Sequence, residues 1–194
     1  MDSMKNETKQ SVGKQLDMRI TTKNLVITAM MAALMCAVGP LAIPLPFTPV
    51  PVAPIVAVIY LSAFVLDWKY SAVSVMVYLL LGTIGLPVFS GGGAGIAKLV
   101  GPTGGYLIGF VFTAVICGYI NGRFDGKIYM YVIGMCIGLS VAYIFGTIWF
   151  MYQQGMGLWQ SLTLCVIPFL IGDAVKIIAA TLVGPVLRVA VKKL

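Results

Sequence analysis

The sequence contains no histidine, and only 10% of its 194 residues are charged. Histidine is the commonest metal ligand and general base in proteins, so its absence argues against most metal sites and catalytic centres. The four cysteines include no CxxC pair, which argues against a zinc site. We therefore expect no bound metal, no cofactor held by this chain and no enzyme activity.

The scarcity of charge indicates the class of protein. Soluble domains carry about 25% charged residues, whereas 60% of this chain is hydrophobic and its mean hydropathy is +1.00. These values are typical of an integral membrane protein. The chain has thirteen Lys and Arg residues but six Asp and Glu residues, so positive charges are in excess. In a membrane protein this excess reports on topology, and we expect no nucleic-acid partner.

Apolar runs divide residues 24–194 into six predicted membrane spans, which follow a polar tail at residues 1–23. A span needs about 20 residues, and the uncharged run from 24 to 66 holds two because prolines interrupt it. No apolar core with a cleavage site begins the chain, so we expect a cytoplasmic tail instead of a cleaved signal peptide. The predicted spans are residues 24–38, 52–66, 70–87, 104–120, 128–150 and 159–186.

The distribution of basic residues supports this count. With the amino terminus inside, every Lys and Arg outside the spans falls on the inner side except Lys98. Cytoplasmic segments are enriched in Lys and Arg, so the pattern favours six helices with both termini in the cytoplasm. Five or seven spans would leave a basic end outside.

The last predicted span contains an acid and a base, Asp173 and Lys176. Residues three apart on a helix share a face, so both side chains can point at one target. Ionisable residues inside a membrane usually mark a substrate or ion site, although the pair could instead neutralise itself and hold helices together. Together the two suit a small molecule with a carboxylate at one end and an amide or ureido group at the other. A proton relay is the weaker alternative, because no second intramembrane acid continues it.

Two predicted outer connectors, residues 40–54 and 85–105, are rich in Pro and Gly and yet apolar. Non-helical backbone at membrane depth is tolerated where it is buried or lines a cavity, so we expect both connectors to form a lid over an outward-facing pocket. The second connector contains Lys98, the single charge predicted on the outer side. This charge favours the interpretation that the connector forms a wall of the pocket instead of a flexible link. The second connector lacks the GxxxxGK[ST] order of a phosphate loop.

Small and aromatic residues mark two further surfaces. Ala29 and Ala33 lie four apart on the first span, a spacing that lets another helix approach closely, from this chain or from a separate subunit. The tryptophans fall near predicted span ends, as in interfacial belts. An alternative role for Trp159, together with Tyr152, is to close the pocket.

Four motifs occur in order along the chain: PLPFTPVP at 44–51, GLPVF at 85–89, GPTGGY at 101–106 and PFLIGDAVK at 168–176. Together they resemble the BioY family, the membrane-embedded biotin-binding components (S components) of energy-coupling factor (ECF) transporters. The resemblance implies an all-α, six-helix S-component fold in a prokaryotic plasma membrane that captures biotin from outside. It also implies a partner module of a transmembrane coupling subunit and two ABC-type ATPases, which use the ATP.

The resemblance implies ligand-site roles for Asp173 and Lys176, and contact with the coupling subunit for Ala29 and Ala33. Either Lys176 or Lys98 would neutralise the biotin carboxylate. The expected biotin site further includes residues of the two connectors and of the neighbouring spans: Phe47, Tyr78, Gly91, Gly92, Lys98, Gly101 and Tyr106.

The chain departs from the family pattern after residues 48–51. A Thr and then a Gln often follow there, whereas this chain has Ala53, Pro54 and Ile55. A polar contact to the ligand ring is therefore missing or supplied elsewhere, with Tyr78 as the candidate. Dethiobiotin or another small carboxylic acid is an alternative ligand.

Two other classes of function compete with this interpretation. A membrane enzyme would need a nucleophile beside a base, and without histidine the candidates are few. A stand-alone channel or secondary carrier would be favoured by inverted repeats or a further buried charge, and the sequence contains neither.

Overall fold

The computed structural model of the protein describes residues 21–193 except Phe47 and Asp125. Within this part the chain folds mainly as helices, joined by one β-hairpin and three short 3₁₀ turns. In chain order these are α1 (Thr22–Val38), a turn (Gly39–Leu41), β1 (Ile43–Leu45), β2 (Thr48–Val52), α2 (Ile55–Val65), α3 (Trp68–Ile84), a turn (Ser90–Gly92), α4 (Ile96–Val100), α5 (Gly104–Arg123), α6 (Ile128–Gln154), α7 (Leu158–Cys165), a turn (Ile167–Phe169) and α8 (Leu170–Lys192).

Four helical segments of the described chain are long and apolar enough to cross a membrane: Thr22–Leu41, Gly104–Arg123, Ile128–Gln154 and Leu158–Lys192. The apolar helices α2 and α3 are shorter, with 11 and 17 residues. Eleven helical residues extend about 17 Å, less than the roughly 30 Å of a hydrocarbon core. The predicted second span is therefore only partly helical.

The prediction of an all-α protein is corrected by the hairpin. Strands β1 and β2 pair antiparallel, with Ile43 opposite Val52. The predicted second span begins as a strand because Pro51 and Pro54 lack an N–H and disfavour helical geometry in the residue before them. Helix α2 consequently begins only at Ile55.

The predicted last span, residues 159–186, is broken near its middle. Helix α7 ends at Cys165, and α8 begins at Leu170 after a turn that contains Pro168. Proline cannot donate to the carbonyl four residues earlier, and its ring clashes with that carbonyl, so a continuous helix is disfavoured here. The break places Asp173 in the first turn of a new helix instead of in mid-span.

Helices α5 and α6 form the most closely packed pair of the bundle. Small residues recur every fourth position on α6, at 134, 138, 142 and 146. A Cβ built on Gly109 of α5 would lie 2.8 Å from Ala142 Cα, and Thr113 Oγ1 donates to Gly138 O at 2.8 Å. Lipid supplies no hydrophobic force between helices, so such close packing and hydrogen bonding hold them together. The pair forms a rigid wall for the neighbouring elements.

The outer surface of the bundle is apolar. Large hydrophobic side chains such as Ile171, Leu182 and Val186 are mostly exposed, although they belong to a helix that packs on its neighbours. A soluble protein would rarely expose so much contiguous apolar area. This surface suits a lipid environment.

Candidate functional site

A cavity lies beneath the hairpin and the segment 85–105, between the facing ends of several helices. It contains about 680 Å³ of atom-free space, counting the part that opens to solvent. Small-molecule sites typically have apolar walls with a few polar groups. The walls here fit that description: Val50, Pro51, Ala53, Val56, Phe89, Ser90, Lys98, Thr103, Tyr106, Leu107, Phe110, Leu139, Ala142, Tyr143, Cys165, Phe169, Asp173 and Lys176.

Asp173 and Lys176 form an ion pair on the cavity wall. Lys176 Nζ lies 2.7 Å from Asp173 Oδ1, and Asp173 is 4% exposed. The first turn of α8, where Asp173 lies, has backbone N–H groups that favour a negative charge. A charge buried in this way depends on its partner, because removing one member leaves the other uncompensated.

Tyr143 of α6 is the third member of this group. Its hydroxyl donates to Asp173 Oδ2, so each carboxylate oxygen already has one partner within the protein. A carboxylate oxygen accepts about two hydrogen bonds, which leaves one direction at each oxygen for a ligand. Tyr143 was not among the site residues predicted from the sequence. Tyr143 follows Leu139 by four residues, so the two share a face of α6, and both line the cavity.

The break between α7 and α8 contributes to the site through its backbone. The carbonyls at the end of α7 lack helical partners, and other elements satisfy two of them. Tyr106 Oη donates to Cys165 O at 3.1 Å, and Thr48 Oγ1 donates to Leu164 O at 2.8 Å. These bonds tie α5 and β2 to the broken helix, which is the condition under which irregular backbone is tolerated at membrane depth.

Tyr106 is also held by a close approach to α6. A Cβ built on Gly146 would lie 2.3 Å from Tyr106 Cε1, so only glycine fits beneath the ring. The expectation that Tyr106 belongs to the pocket agrees with its place on the cavity wall. Its contact with a ligand stays a prediction.

Lys98 lies where the cavity meets the outside. It lines the main cavity and also a second, outer opening that includes Ser90 and Gly91. Its aliphatic chain packs against Gly93, where an added Cβ would lie 2.3 Å from Lys98 Cε. The chain turns back before Lys98 at Gly91 and Gly92, whose φ values of 71° and 73° favour glycine.

Several predicted site residues do not reach the main cavity. Tyr78 is 1% exposed and its hydroxyl donates to Val88 O at 3.2 Å. Its ring packs edge-on against Phe89, which does line the cavity, so the expected contact of Tyr78 with a ligand ring has no support. Gly91, Gly92 and Gly101 are also absent from the wall of the main cavity, and Gly91 lines only the outer opening. Phe47 lies outside the described residues.

Gly101 contributes through its backbone. Trp149 Nε1 donates to Gly101 O at 2.9 Å, and the Gln153 side chain donates to Val100 O. Trp149 therefore anchors the segment 85–105 to α6, a role beyond the interfacial one expected from its position. Trp159 and Tyr152 are 78% and 85% exposed and do not line the cavity, and their alternative role in closing it stays a prediction.

Residues 53–55, where family members often have a Thr and a Gln, are apolar in this chain. Ala53 lines the cavity, and Ile55 is buried in the core. Polar groups enter the cavity instead from Ser90 and Thr103. No cluster of three His, Cys, Asp or Glu side chains suited to a metal occurs among the described residues.

Ala29 and Ala33 lie on the exposed side of α1, whereas Ala32 and Met35 are buried. Helix α1 packs mainly against α3. The small residues are therefore accessible to another helix, and their contact with a partner stays a prediction.

Comparison with known proteins gives a consistent result. The profile of the BioY family matches residues 7–193. The biotin transporter BioY of Rhizobium etli is 33% identical over 174 residues, which cover 85% of this chain and 92% of that protein. The biotin transporter BioY of Thermotoga maritima is 34% identical over 142 residues, covering 73% of this chain and 83% of its own. The crystal structure of an S-component for biotin from an ECF-type ABC transporter superposes with a TM-score of 0.79 at 32% identity, covering 86% of this chain and 90% of that one.

Proposed function

Because the chain belongs to the BioY family, we propose that it binds biotin in the main cavity and serves as the substrate-specific subunit of an ECF transporter. The family is the one predicted from the four sequence motifs. The protein is a transport subunit and not an enzyme. The observation that carries the ligand assignment is an apolar cavity whose wall holds one acid–base pair, Asp173 and Lys176.

The shape of biotin matches the distribution of polar groups in the cavity. Biotin consists of a fused ring system with a ureido group, joined to an aliphatic chain that ends in a carboxylate. The ureido N–H groups would donate to the acceptor sites of the Asp173 carboxylate that Tyr143 and Lys176 leave unused. The bonds from Tyr143 and Lys176 hold this carboxylate in place. Apolar walls such as Phe89 and Phe110 would cover the ring and the aliphatic chain.

We assign the biotin carboxylate to Lys98 and not to Lys176. Lys176 already pairs with Asp173 at 2.7 Å, whereas Lys98 forms no salt bridge with a described residue and lies at the cavity mouth. Lys176 would then remain the ion-pair partner of Asp173. With this assignment, the ureido group and the carboxylate of biotin would contact different residues of the cavity wall, Asp173 and Lys98.

Isothermal titration calorimetry of the purified protein tests the assignment of the carboxylate. The two ligands are biotin and biotinamide, which has a neutral amide in place of the carboxylate. Lys98→Ala should bind the two ligands equally well, while Lys176→Ala should still prefer biotin. Lys69→Ala, which removes an exposed charge, is the matched control. The reverse pattern would move the carboxylate to Lys176. Tighter binding of dethiobiotin than of biotin would favour the alternative ligand, which the apolar Ala53 makes worth testing.

The proposed topology has six spans, with the tail 1–23 and the carboxyl terminus both in the cytoplasm of a prokaryote. Strand β2 and helix α2 together would form the second span. The described basic residues support this, because only Lys98 and Lys176 lie away from one end of the bundle. A reporter fused after the last residue should be active only inside the cell; an active reporter outside would overturn the topology.

The proposed partners are a transmembrane coupling subunit and two ABC-type ATPases, which would use ATP to drive release of biotin inside. The exposed Ala29 and Ala33 support a helix-docking face on α1. Ala29→Leu with Ala33→Leu should abolish co-purification with the coupling subunit and leave biotin binding intact. The control is Ala179→Leu, on the exposed side of α8. Normal assembly of the double variant would exclude this face.

A further inference from the structure

A second cavity lies at the other end of the bundle, where α1, α2, α5 and α8 meet. Asp173 and Lys192 are 19 residues apart on α8, so the two cavities are separated by about 28 Å along that helix. The second cavity contains about 580 Å³ of atom-free space, counting its open side. We propose that it binds the phosphate group of an anionic phospholipid.

The charges around this cavity favour an anion. Among the residues that the structure describes, three cationic side chains line it, those of Lys23, Arg188 and Lys192, beside one acid, Asp67. Cations therefore outnumber acids three to one in this described part of the lining. The cations come from the start of α1 and the end of α8, which are distant in sequence, so the fold itself gathers them.

The guanidinium of Arg188 is held in place by the core of the bundle. Arg188 Nη1 donates to Asn121 O at 2.9 Å, and Asn121 is 1% exposed. The Asn121 side chain in turn donates to Ala63 O at 3.2 Å. These bonds link α8, α5 and α2 at the cavity. A fixed guanidinium has a planar set of donors that matches phosphate oxygens.

The cavity lies where α1 begins and α5 and α8 end, which in the proposed topology is the level of the lipid headgroups. Exposed aromatic residues occur at the same end of the bundle, with Trp68, Tyr119 and Tyr129 at 41%, 58% and 56% exposure. Such residues are enriched at the interface between headgroups and hydrocarbon. Next to the cationic residues, Leu25 and Val189 expose apolar side chains that acyl chains can contact. This position therefore favours the phosphate group of a lipid over a phosphate compound in solution.

Native mass spectrometry of the full-length protein in a neutral detergent tests the proposal. Phosphatidylglycerol is titrated in, with phosphatidylcholine of the same acyl chains and soluble glycerol phosphate as separate arms. Lys23→Ala with Lys192→Ala should bind phosphatidylglycerol about 30-fold more weakly than the parent, since each Lys near an anionic surface contributes roughly 1 kcal/mol. The matched control, Lys127→Ala with Lys193→Ala, removes the same charge from residues outside the cavity and should retain parental binding.

Arg188→Lys keeps the charge but loses the planar donors, so we expect a smaller loss than for the double variant. Unchanged biotin affinity in each variant would show that the fold is intact. Equal losses in the two double variants, or equal binding of the two lipids, would overturn the proposal. Displacement of the lipid by glycerol phosphate at equal concentration would assign the site to soluble phosphate compounds. If the variant Lys23→Ala with Lys192→Ala binds lipid normally but no longer co-purifies with partner subunits, the cavity is a protein interface and the proposal is wrong.

Discussion

The two cavities of this protein use charge in opposite ways. The main cavity holds one buried acid, Asp173, with each oxygen bonded to a neighbouring side chain. The cavity at the other end gathers several cations on an open surface beside Asp67. Buried charges depend on specific partners, whereas exposed charges are screened and contribute small, roughly additive amounts. A single substitution should therefore have a large effect in the first region and a small one in the second.

The largest effect is expected from Asp173→Asn. The change removes a charged acceptor for the ureido group and leaves the Lys176 ammonium without its partner in an apolar cavity. Biotin affinity should fall about 100-fold or more, since a hydrogen bond to a charged group contributes about 1.5–3 kcal/mol and the unpaired ammonium adds to the loss. Isothermal titration measures this. The same change at the other end, Asp67→Asn, is the control and should leave affinity unchanged; comparable losses would abolish the distinction between the regions.

Tyr143→Phe should weaken biotin binding by about 10-fold, because it removes one of the bonds that orient Asp173. The ring remains, so the apolar wall is preserved. Tyr152→Phe removes a hydroxyl from a side chain that is 85% exposed and serves as the control. Parental affinity in Tyr143→Phe would mean that Lys176 alone positions the carboxylate.

Gly146→Ala tests the packing beneath the cavity. The added methyl would meet the ring of Tyr106 at 2.3 Å, so the ring or α6 must shift. Overpacking of this kind lowers the free energy of unfolding by about 1–3 kcal/mol. A lower thermal unfolding temperature and weaker biotin binding are expected. Gly172→Ala, which meets no atom within 4 Å, is the matched control and should not lower the unfolding temperature.

The smallest effect is expected from Lys23→Ala. This lysine lines the open cavity at the other end of the bundle from Asp173. Biotin affinity should change by less than about two-fold, because exposed charges contribute roughly 0–1 kcal/mol. A ten-fold loss in the same titration would show that the two cavities are coupled.

Much of the site was predictable because its determinants are local. The spacing of Asp173 and Lys176 places both on one face of any helix that contains them, and the structure retains that arrangement. Tyr78 and Tyr143 could not be distinguished in this way. Both lie in apolar helices, and only the packing decides that Tyr78 bonds to Val88 whereas Tyr143 faces the cavity.

The sequence by itself determined the membrane class, the family and the identity of the buried acid–base pair, since these follow from composition and from residues close along the chain. The tertiary structure decided where the helices break. Pro51 and Pro54 left strand β2 and a short α2 in place of a full helical span, and Pro168 divided the last span. A proline disfavours a helix locally, but whether the chain then bends, pairs or turns depends on which distant groups satisfy its free carbonyls. Here Tyr106 and other residues supply those bonds, and the break at Pro168 becomes part of the cavity wall.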